Sequence, residues 1–175
     1  MSGHYASSLE LFLNATSAIS HGAIDWVADT SMGVLLINTA NYFAAHGNEA
    51  VALATDQDVA DVAGIANVIH RRLLITDTDP VGTLLGAPLL PGPDLVGNAR
   101  TAVGGVADAS DVIFKAVVSV PAADPIGGLI IYKNASGVDA SSPLLCLVTL
   151  AGTVLPNGGD IKLAWDNGAN KVFKI

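Results

Sequence analysis

The C-terminal part of the chain is a series of short apolar or alternating runs separated by turn residues. Residues 144–150, 161–165 and 171–175 each form such a run, and Pro, Gly, Asn and Asp fill the gaps between them. This pattern is typical of β-strands joined by turns. Similar runs occur at residues 32–38, 67–76, 111–119 and 126–133. Because no long helical pattern separates them, the sequence predicts a mainly-β fold, either an antiparallel β-sandwich or a jelly-roll-like barrel.

The last two runs are predicted to pair as a hairpin. Ile161, Leu163 and Trp165 alternate with polar or small residues, so they share one face of a strand. Residues 166–170 then supply a short connection that contains Asn-Gly, a pair that tolerates positive φ. We therefore predict that Trp165 is buried in this hairpin. The predicted structural core consists of Trp165, Phe173, Ile161, Leu163, Phe114 and Ile130.

One or two short helices are predicted in the N-terminal part of the chain. Apolar residues three and four positions apart, starting at Leu9, predict a short helix over residues 6–19. Residues 55–61 have the composition of a helix start, with Thr55 as the N-cap and acidic residues near the N-terminal end of the helix dipole. Neither helix is long enough to change the mainly-β assignment.

Residues 77–97 differ from the rest of the chain because they combine prolines and glycines with large apolar side chains. The prolines and glycines exclude a regular helix or a central strand. A solvated linker would not carry so many leucines. The segment therefore packs as an apolar arm or loop, either on its own domain or on a neighbouring subunit. Its candidate interface residues are Leu84, Leu85, Leu89, Leu90 and Leu95.

Composition points to one domain, spanning residues 1–175, whose surface is partly covered by other subunits. Only 14% of the residues are charged, against about 25% in typical domains. The surface is therefore either rich in small polar residues or buried in contacts, and we expect a homo-oligomer. A formal net charge of −8 disfavours nucleic acids and anionic membranes as partners. No apolar run reaches the roughly 20 residues that span a membrane.

No catalytic, cofactor-binding or metal-binding residues are predicted, and we expect a protein that is not an enzyme. The four histidines lack zinc-ligand spacing, and the glycines match no phosphate-binding motif. Cys146 is the only cysteine, and its apolar surroundings in the sequence indicate a buried hydrophobe rather than a reactive thiol. The aspartates cluster at predicted turns and at the predicted helix start, where a weak surface cation site is the less favoured alternative.

Seven segments of the chain form a recognisable series: Ile24-Asp-Trp26, Val34-Leu-Leu-Ile37, Val106-Ala-Asp-Ala-Ser-Asp-Val-Ile-Phe114, Ile130-Ile-Tyr-Lys133, Ser141-Ser-Pro-Leu-Leu145, Asn157-Gly-Gly-Asp-Ile161 and Trp165-Asp-Asn-Gly-Ala-Asn170. In their order, these segments resemble a family of small virion structural proteins of tailed bacteriophages. The resemblance covers most of the chain, is tightest from Ala107 onward, and is weakest over residues 77–97. The segments that carry it define turns and strands, so they indicate the family better than the task.

This resemblance implies a virion component without a cofactor. The expected role is that of a capsid decoration (cement) protein, which binds the outside of the head shell and stabilises it against the pressure of packaged DNA. Its expected partners are the major capsid protein and further copies of itself, as a dimer or trimer. It would assemble in the cytoplasm of the bacterial host. The alternatives are a tail, neck or baseplate component and a carbohydrate-binding module on the virion surface, although aromatic residues for sugar stacking are scarce.

Overall fold

The fold was analysed in a computed structural model of the 175-residue chain. The structure describes residues 6–13, 15, 32–66, 68–74, 101–103, 106–108, 112–114, 116–117, 125–135, 138–164 and 173–174. Its strands are β1 (Ala6–Leu11), β2 (Met32–Ile37), β3 (Ile69–Leu74), β4 (Thr101–Val103), β5 (Val106–Asp108), β6 (Val112–Phe114), β7 (Ile126–Lys133), β8 (Leu144–Val154), β9 (Ile161–Leu163) and β10 (Phe173–Lys174). Its helices are α1 (Thr39–His46), α2 (Glu49–Thr55) and α3 (Val59–Ala63), with a 3-10 turn at Asp139–Ser141.

The centre of the described structure is a five-stranded antiparallel sheet in the order β1-β8-β7-β2-β3. Two smaller antiparallel sheets accompany it, one in the order β10-β5-β4 and one formed by β6 and β9. Strands predominate and the helices are short, so the prediction of a mainly-β fold with antiparallel sheets is confirmed.

Both faces of the central sheet are covered. On one face, alternate residues of β2 and β7 pack against α1, α2 and α3, and we call this the helix-side cluster. On the other face, the intervening residues pack against β6 and β9, and we call this the ribbon-side cluster. Leu35 and Ile37 face the helices, whereas Val34 and Leu36 face the ribbon. Because both of its faces are covered, β2 is buried along its whole length. A strand buried on both faces has a continuously apolar sequence rather than an alternating one.

This two-sided burial explains part of the apolar composition within a single chain. The helix-side cluster contains Phe12, Ala15, Leu35, Ile37, Tyr42, Ala52, Val59, Val62, Val68, Ile69, Ile130, Tyr132, Leu144 and Leu147. The ribbon-side cluster contains Met32, Val34, Leu36, Phe114, Val117, Ile126, Leu129, Ile131, Leu145, Cys146 and Val148. An apolar fraction of 51% is therefore weaker support for subunit contacts than the sequence suggested.

Strand β1 corrects the prediction of a helix starting at residue 6. Ala6–Leu11 is extended and pairs with β8, and helical conformation is described only at Leu13 and Ala15. A short helix is marginal without tertiary support. Pairing with β8 satisfies the same backbone groups, and Leu9 lies opposite Val148 in the ladder. The helical spacing of the apolar residues was therefore overridden by a partner far along the chain.

The predicted C-terminal hairpin is also wrong for the strand residues that the structure describes. Strand β9 pairs with β6, and Ile161 lies opposite Phe114. Strand β10 pairs with β5, and Phe173 lies opposite Ala107. Long-range partners have thus replaced the local one. Trp165, the connection at 166–170 and the side chain of Phe173 lie outside the described residues, so the predicted burial of Trp165 stays a prediction.

Strand β6 ends earlier than the predicted run at 111–119 because the backbone turns at Ala116. Ala116 has a φ of 48°, in the left-handed region that residues with a Cβ rarely adopt. Its N–H donates to Asp160 Oδ1 at 3.1 Å, and the neighbouring Val117 N–H donates to the Gly159 carbonyl at 2.9 Å. These bonds hold the end of β6 to the turn before β9 and stabilise the strained conformation.

Two glycines allow close approach on the helix side of the sheet. The ring of Tyr132 lies directly over Gly33, its partner on the adjacent strand, so that a Cβ on Gly33 would overlap the ring. A Cβ on Gly128 would lie 2.6 Å from the Val148 carbonyl oxygen and 2.8 Å from Thr39 Cγ2. The absence of a side chain at Gly128 lets the start of α1 pack closely against the sheet.

Candidate functional site

Each of the helices α1, α2 and α3 begins with a side-chain cap. Asn38 Oδ1 accepts from the Asn41 N–H at 3.1 Å, and Asn48 Oδ1 accepts from the Val51 N–H at 3.0 Å. Asp58 Oδ1 accepts from the Ala60 N–H at 2.9 Å and forms a reciprocal capping box with α3. Such caps satisfy N–H groups that have no partner within the helix. The caps fix the residue at which each helix starts, and so the positions of the turns between the helices.

The predicted N-cap at Thr55 is wrong, because Thr55 is the last residue of α2. Its hydroxyl donates to the Val51 carbonyl at 2.9 Å, one turn earlier in the same helix. The next helix starts at Val59 instead, with Asp58 as its cap. Local composition placed acidic residues at a helix start correctly, but it could not separate two helices that are joined by three residues, 56–58.

One group of hydrogen-bonded polar side chains joins α1 to the end of α2. Tyr42 and His46 are four residues apart on α1, so their side chains lie on one face of the helix. The Tyr42 hydroxyl donates to Asp56 Oδ2 at 2.7 Å, and His46 Nε2 lies 2.8 Å from Asp56 Oδ1. The ring of His46 meets that of Tyr42 edge-on, with centroids 5.1 Å apart. We call these three residues the Tyr42–His46–Asp56 cluster.

Burial sets the chemistry of this cluster. Tyr42 has no exposed surface, and Asp56 is 4% exposed. Desolvation is the main reason why the pKa of the Tyr42 phenol lies well above its usual value, and the hydrogen bond and negative charge of Asp56 raise it further. Tyr42 therefore stays protonated and acts only as a donor here. The carboxylate of Asp56, which would be costly to bury alone, is compensated by hydrogen bonds.

The cluster looks like a histidine–aspartate pair but offers no free base. His46 Nδ1 lies 3.0 Å from the Tyr42 carbonyl oxygen, and Nε2 faces Asp56. Both ring nitrogens are therefore engaged, and neither presents a lone pair to a substrate or a metal ion. The only other hydroxyl that is described as bonded to the cluster is that of Thr55, 3.3 Å from Asp56 Oδ1. The arrangement is suited to linking helices rather than to transferring protons to a ligand.

A second set of bonds attaches the α2–α3 connection to the segment that precedes β8. The Leu144 N–H donates to the Gln57 carbonyl at 3.0 Å, and the Val59 N–H donates to the Ser142 carbonyl at 3.0 Å. The Ser142 hydroxyl, fully buried, donates to the Val138 carbonyl at 2.7 Å and accepts from the Ala135 N–H at 3.0 Å. The helical layer is thereby fastened to the sheet close to Asp56.

The structure places the sequence-predicted core residues in different surroundings. Phe114 is fully buried in the ribbon-side cluster and Ile130 in the helix-side cluster, while Ile161 and Leu163 are partly buried against the ribbon-side cluster. The candidate interface residues Leu84, Leu85, Leu89, Leu90 and Leu95 lie outside the described residues. Cys146 is fully buried, and burial raises the pKa of its thiol to about 12.

Sequence analysis missed the Tyr42–His46–Asp56 cluster. The only histidine pattern considered there was zinc-ligand spacing, which His46 does not satisfy. The available signal was the spacing of four between Tyr42 and His46, which places two hydrogen-bonding side chains on one helix face. Their partner, Asp56, lies ten residues after His46. Its approach depends on the tight turn between α1 and α2, which composition does not reveal.

Two features are absent from the ranges that the structure describes. In those ranges no group of three or more His, Cys, Asp or Glu side chains is arranged to hold a metal ion. No helix in the same ranges is both long and apolar enough to cross a membrane. Comparison of the chain with models of known protein families, with curated proteins and with solved structures finds no match.

Proposed function

We propose that this protein is a non-catalytic structural component of a tailed-bacteriophage virion, and more narrowly a decoration protein on the outer surface of the head. The order of its turns and strands, from Val106-Ala-Asp108 to Trp165-Asp-Asn167, supports the family assignment by resemblance. The net charge of −8 suits a position outside the shell, where it does not oppose contact with packaged DNA.

The main support for the proposal is that buried polar side chains form hydrogen bonds to the framework. Apart from the tyrosines, the buried polar or charged residues in the described ranges are Asn38, Asp56 and Ser142. Each one is hydrogen-bonded to the framework: Asn38 caps α1, Asp56 joins α1 to α2, and Ser142 fixes the segment before β8. Polar groups that bond to the framework stabilise a rigid body, and they are then not free to bind or react with a ligand. A rigid body that adds contact area is what a decoration protein needs.

The finer architecture is part of the proposal. The ribbon of β6 and β9 packs against one face of the central sheet through Phe114, Ile161 and Leu163. We take this as the second layer of a β-sandwich, with the helical layer closing the opposite face. The jelly-roll alternative would require further pairing that involves residues beyond those described.

The capsid would be stabilised by the sum of many modest contacts. A decoration protein spans junctions between copies of the major capsid protein and contributes a modest contact at each one. Because many copies, or several sites in one oligomer, act together, the gain in shell stability exceeds that of a single contact. The apolar segment at 77–97 is the proposed contact device, through Leu84, Leu85, Leu89, Leu90 and Leu95. Its partner would be the major capsid protein or a sister copy in a dimer or trimer.

Electron microscopy of intact virions that contain this chain tests the assignment. We expect density for it in a symmetric array over capsid junctions, together with a copy number close to that of the major capsid protein or a simple fraction of it. Density confined to the tail axis, or a few dozen copies per virion, would instead favour the tail, neck or baseplate alternative. Binding to a glycan array without binding to capsids would favour the carbohydrate-binding alternative.

The contact segment can be tested separately. Residues 84–90 are replaced by a Gly-Ser linker, and the matched control replaces Leu155, which is 58% exposed, with serine. We expect the linker variant to keep a nearly unchanged melting temperature but to lose self-assembly or binding to expanded capsids, while Leu155→Ser keeps both. Unfolding of the linker variant would show that the segment covers its own domain.

A further inference from the structure

The turn between β8 and β9 contains a chemically labile pair, Asn157-Gly158. Asparagine is one of the thermolabile residues of proteins. It reacts most readily before glycine, because a residue without a Cβ leaves its backbone nitrogen open to the preceding side chain. Asn157 and Gly158 are both exposed, so water and base reach the pair. A second Asn-Gly pair, at 167–168, lies outside the described residues.

The reaction of such a pair consumes only water. A base removes the proton of the Gly158 N–H, and the nitrogen attacks Cγ of Asn157. A bond forms between that nitrogen and Cγ, the bond from Cγ to the side-chain nitrogen breaks, and ammonia leaves with a proton. Water then opens the five-membered imide. Attack of water at Cγ gives aspartate, whereas attack at the backbone carbonyl gives isoaspartate, in which the chain runs through the side-chain methylene.

The attacking nitrogen is engaged in a hydrogen bond in the folded structure. The Gly158 N–H donates to the Val117 carbonyl at 2.8 Å, and the Val117 N–H donates to the Gly159 carbonyl at 2.9 Å. The Ala116 N–H adds a bond to Asp160 Oδ1 at 3.1 Å. We call these three bonds the β6–β9 joint. Because Val117 is 1% exposed, breaking its bonds exposes a buried residue and costs free energy.

The side-chain amide that would be attacked is held as well. Asn157 Oδ1 accepts from the Gly159 N–H at 3.0 Å. A Cβ on Gly159 would lie 3.0 Å from the same oxygen, so the side chain lies close against the backbone of the turn. Attack on Cγ requires the Gly158 nitrogen to lose its proton and to turn from Val117 towards the side chain. Both steps break the β6–β9 joint.

We propose that Asn157 is a self-modification site whose reaction with water is held back by the β6–β9 joint and whose isoaspartyl product opens that joint permanently. While the joint is closed, the nitrogen of Gly158 stays on Val117 and the pair is stable. Each local opening frees the nitrogen. The rate of modification therefore follows the fraction of time for which the joint is open.

The product opens the joint because isoaspartate lengthens the backbone. One extra carbon enters the chain immediately before Gly158. The two bonds to Val117 come from the neighbouring residues Gly158 and Gly159, so the insertion moves both of them out of register. Ala116, with its φ of 48°, then loses the bonds that stabilise a strained conformation and can relax. The modification is irreversible because ammonia has left.

The first measurement compares the folded wild-type chain with the same chain unfolded in urea, at one mildly alkaline pH and one temperature. Mass spectrometry of proteolytic peptides follows the conversion of Asn157 separately from that of Asn167. We expect Asn157 to react at least about tenfold more slowly in the folded chain, the effect of the bonds that must open first. Equal rates in the two states, or no isoaspartate at position 157 in either, would overturn the proposal.

The second measurement loosens the joint from its far side. Asp160→Ala removes the acceptor of the Ala116 N–H, whereas the matched control Asp160→Asn removes the charge and keeps an acceptor oxygen. We expect the alanine variant to speed the folded-state reaction at Asn157 by about fivefold, the effect of one hydrogen bond, and the asparagine variant by no more than about twofold. Equal acceleration by both variants would assign the effect to charge and refute gating by the joint. If Asp160→Ala fails to fold, the comparison of folded and unfolded wild type still decides.

The third measurement tests the product. Aged protein is separated from unmodified protein by its extra negative charge, and its isoaspartate is quantified with an isoaspartate-specific methyltransferase. Asn157→Asp is the control, because it carries the same charge with a normal backbone. Hydrogen exchange of the Val117 amide should be at least about tenfold faster in the isoaspartyl form than in wild type, and nearly unchanged in Asn157→Asp. Equal protection of Val117 in all three forms, or equal loss in both modified forms, would contradict opening by the lengthened backbone.

Discussion

Replacing Gly33 with alanine should destabilise the protein even though alanine is the better residue for a strand backbone. Gly33 is on β2, and its partner Tyr132 on β7 covers it with the distal end of the ring. The atoms nearest to an added Cβ are Cζ, Cε1 and the hydroxyl oxygen of Tyr132, and all three would overlap it. The substitution thus tests whether the helix side of the sheet is packed as described.

The expected magnitude follows from the enclosure of the ring. Tyr132 is fully buried, so the ring cannot move aside into solvent. Overpacking in a core costs about 1–3 kcal/mol, and overlap with three atoms of an enclosed ring places Gly33→Ala in the upper part of that range. The backbone advantage of alanine over glycine offsets about 0.5–1 kcal/mol. The net loss should be about 2 kcal/mol, which lowers the melting temperature of a chain of this size by roughly 4–8 °C.

Urea unfolding followed by circular dichroism measures the loss, and a second background isolates its cause. Leucine lacks all three overlapping atoms, so Gly33→Ala should become neutral or stabilising in a Tyr132→Leu protein. The control is Gly64→Ala, where the added Cβ would lie 3.3 Å from the Ala60 carbonyl oxygen at an exposed helix end. The control should change stability by no more than about 0.5 kcal/mol. An unchanged cost of Gly33→Ala in the leucine background would refute the reasoning.

Three further predictions concern single residues. Ala116→Gly should stabilise the protein by about 1 kcal/mol in urea unfolding, because it relieves a left-handed backbone at a partly offsetting entropic cost; a loss of stability would contradict the strained φ. Asp58→Ala should cost about 1 kcal/mol through loss of the capping box, while Asp58→Asn should cost less than half of that; equal costs would count against the cap. The pKa of the Cys146 thiol is raised by burial from 9.0 to about 12, so the unfolded chain releases this proton first and stability falls as the pH rises from about 9 towards 12. The urea midpoint of Cys146→Ala should lack this component, and identical pH profiles for the two proteins would be inconsistent with the buried thiol.

The elements that sequence analysis predicted well are those whose signals are local. Strand β7 has the predicted bounds, Ile126–Lys133, because an apolar run lies there between Pro125 and Asn134. Strand β8 starts where predicted but continues to Val154, four residues beyond the predicted end. The extension includes Gly152, which weakens the strand pattern, and Val154 is placed by pairing with Ile126. Here the partner, rather than the segment itself, sets the boundary.

The sequence-based predictions were wrong where a partner far along the chain determines the structure of a segment. Strand β1 has helical spacing in its own sequence but lies on the edge of β8, and β9 and β10 pair with β6 and β5 rather than with each other. The Tyr42–His46–Asp56 cluster is an intermediate case. Two of its three residues, the pair on α1, are visible as a spacing of four, whereas the approach of Asp56 depends on how the chain reverses. Fold class could therefore be predicted, but strand pairing and the cluster could not.

The strand order of the central sheet also determines when each part can form. Strands β7 and β8 are neighbours in the chain and pair directly, so they can meet early. The pairing of β2 with β7 joins Leu36 to Leu129, which are 93 residues apart, and that of β1 with β8 joins Leu9 to Val148, which are 139 residues apart. During synthesis β1 therefore leaves the ribosome well before β8 and cannot pair until β8 has also been made. We expect pulse-labelled hydrogen exchange to protect β7 and β8 before β1, and simultaneous protection of all three would contradict this order of assembly.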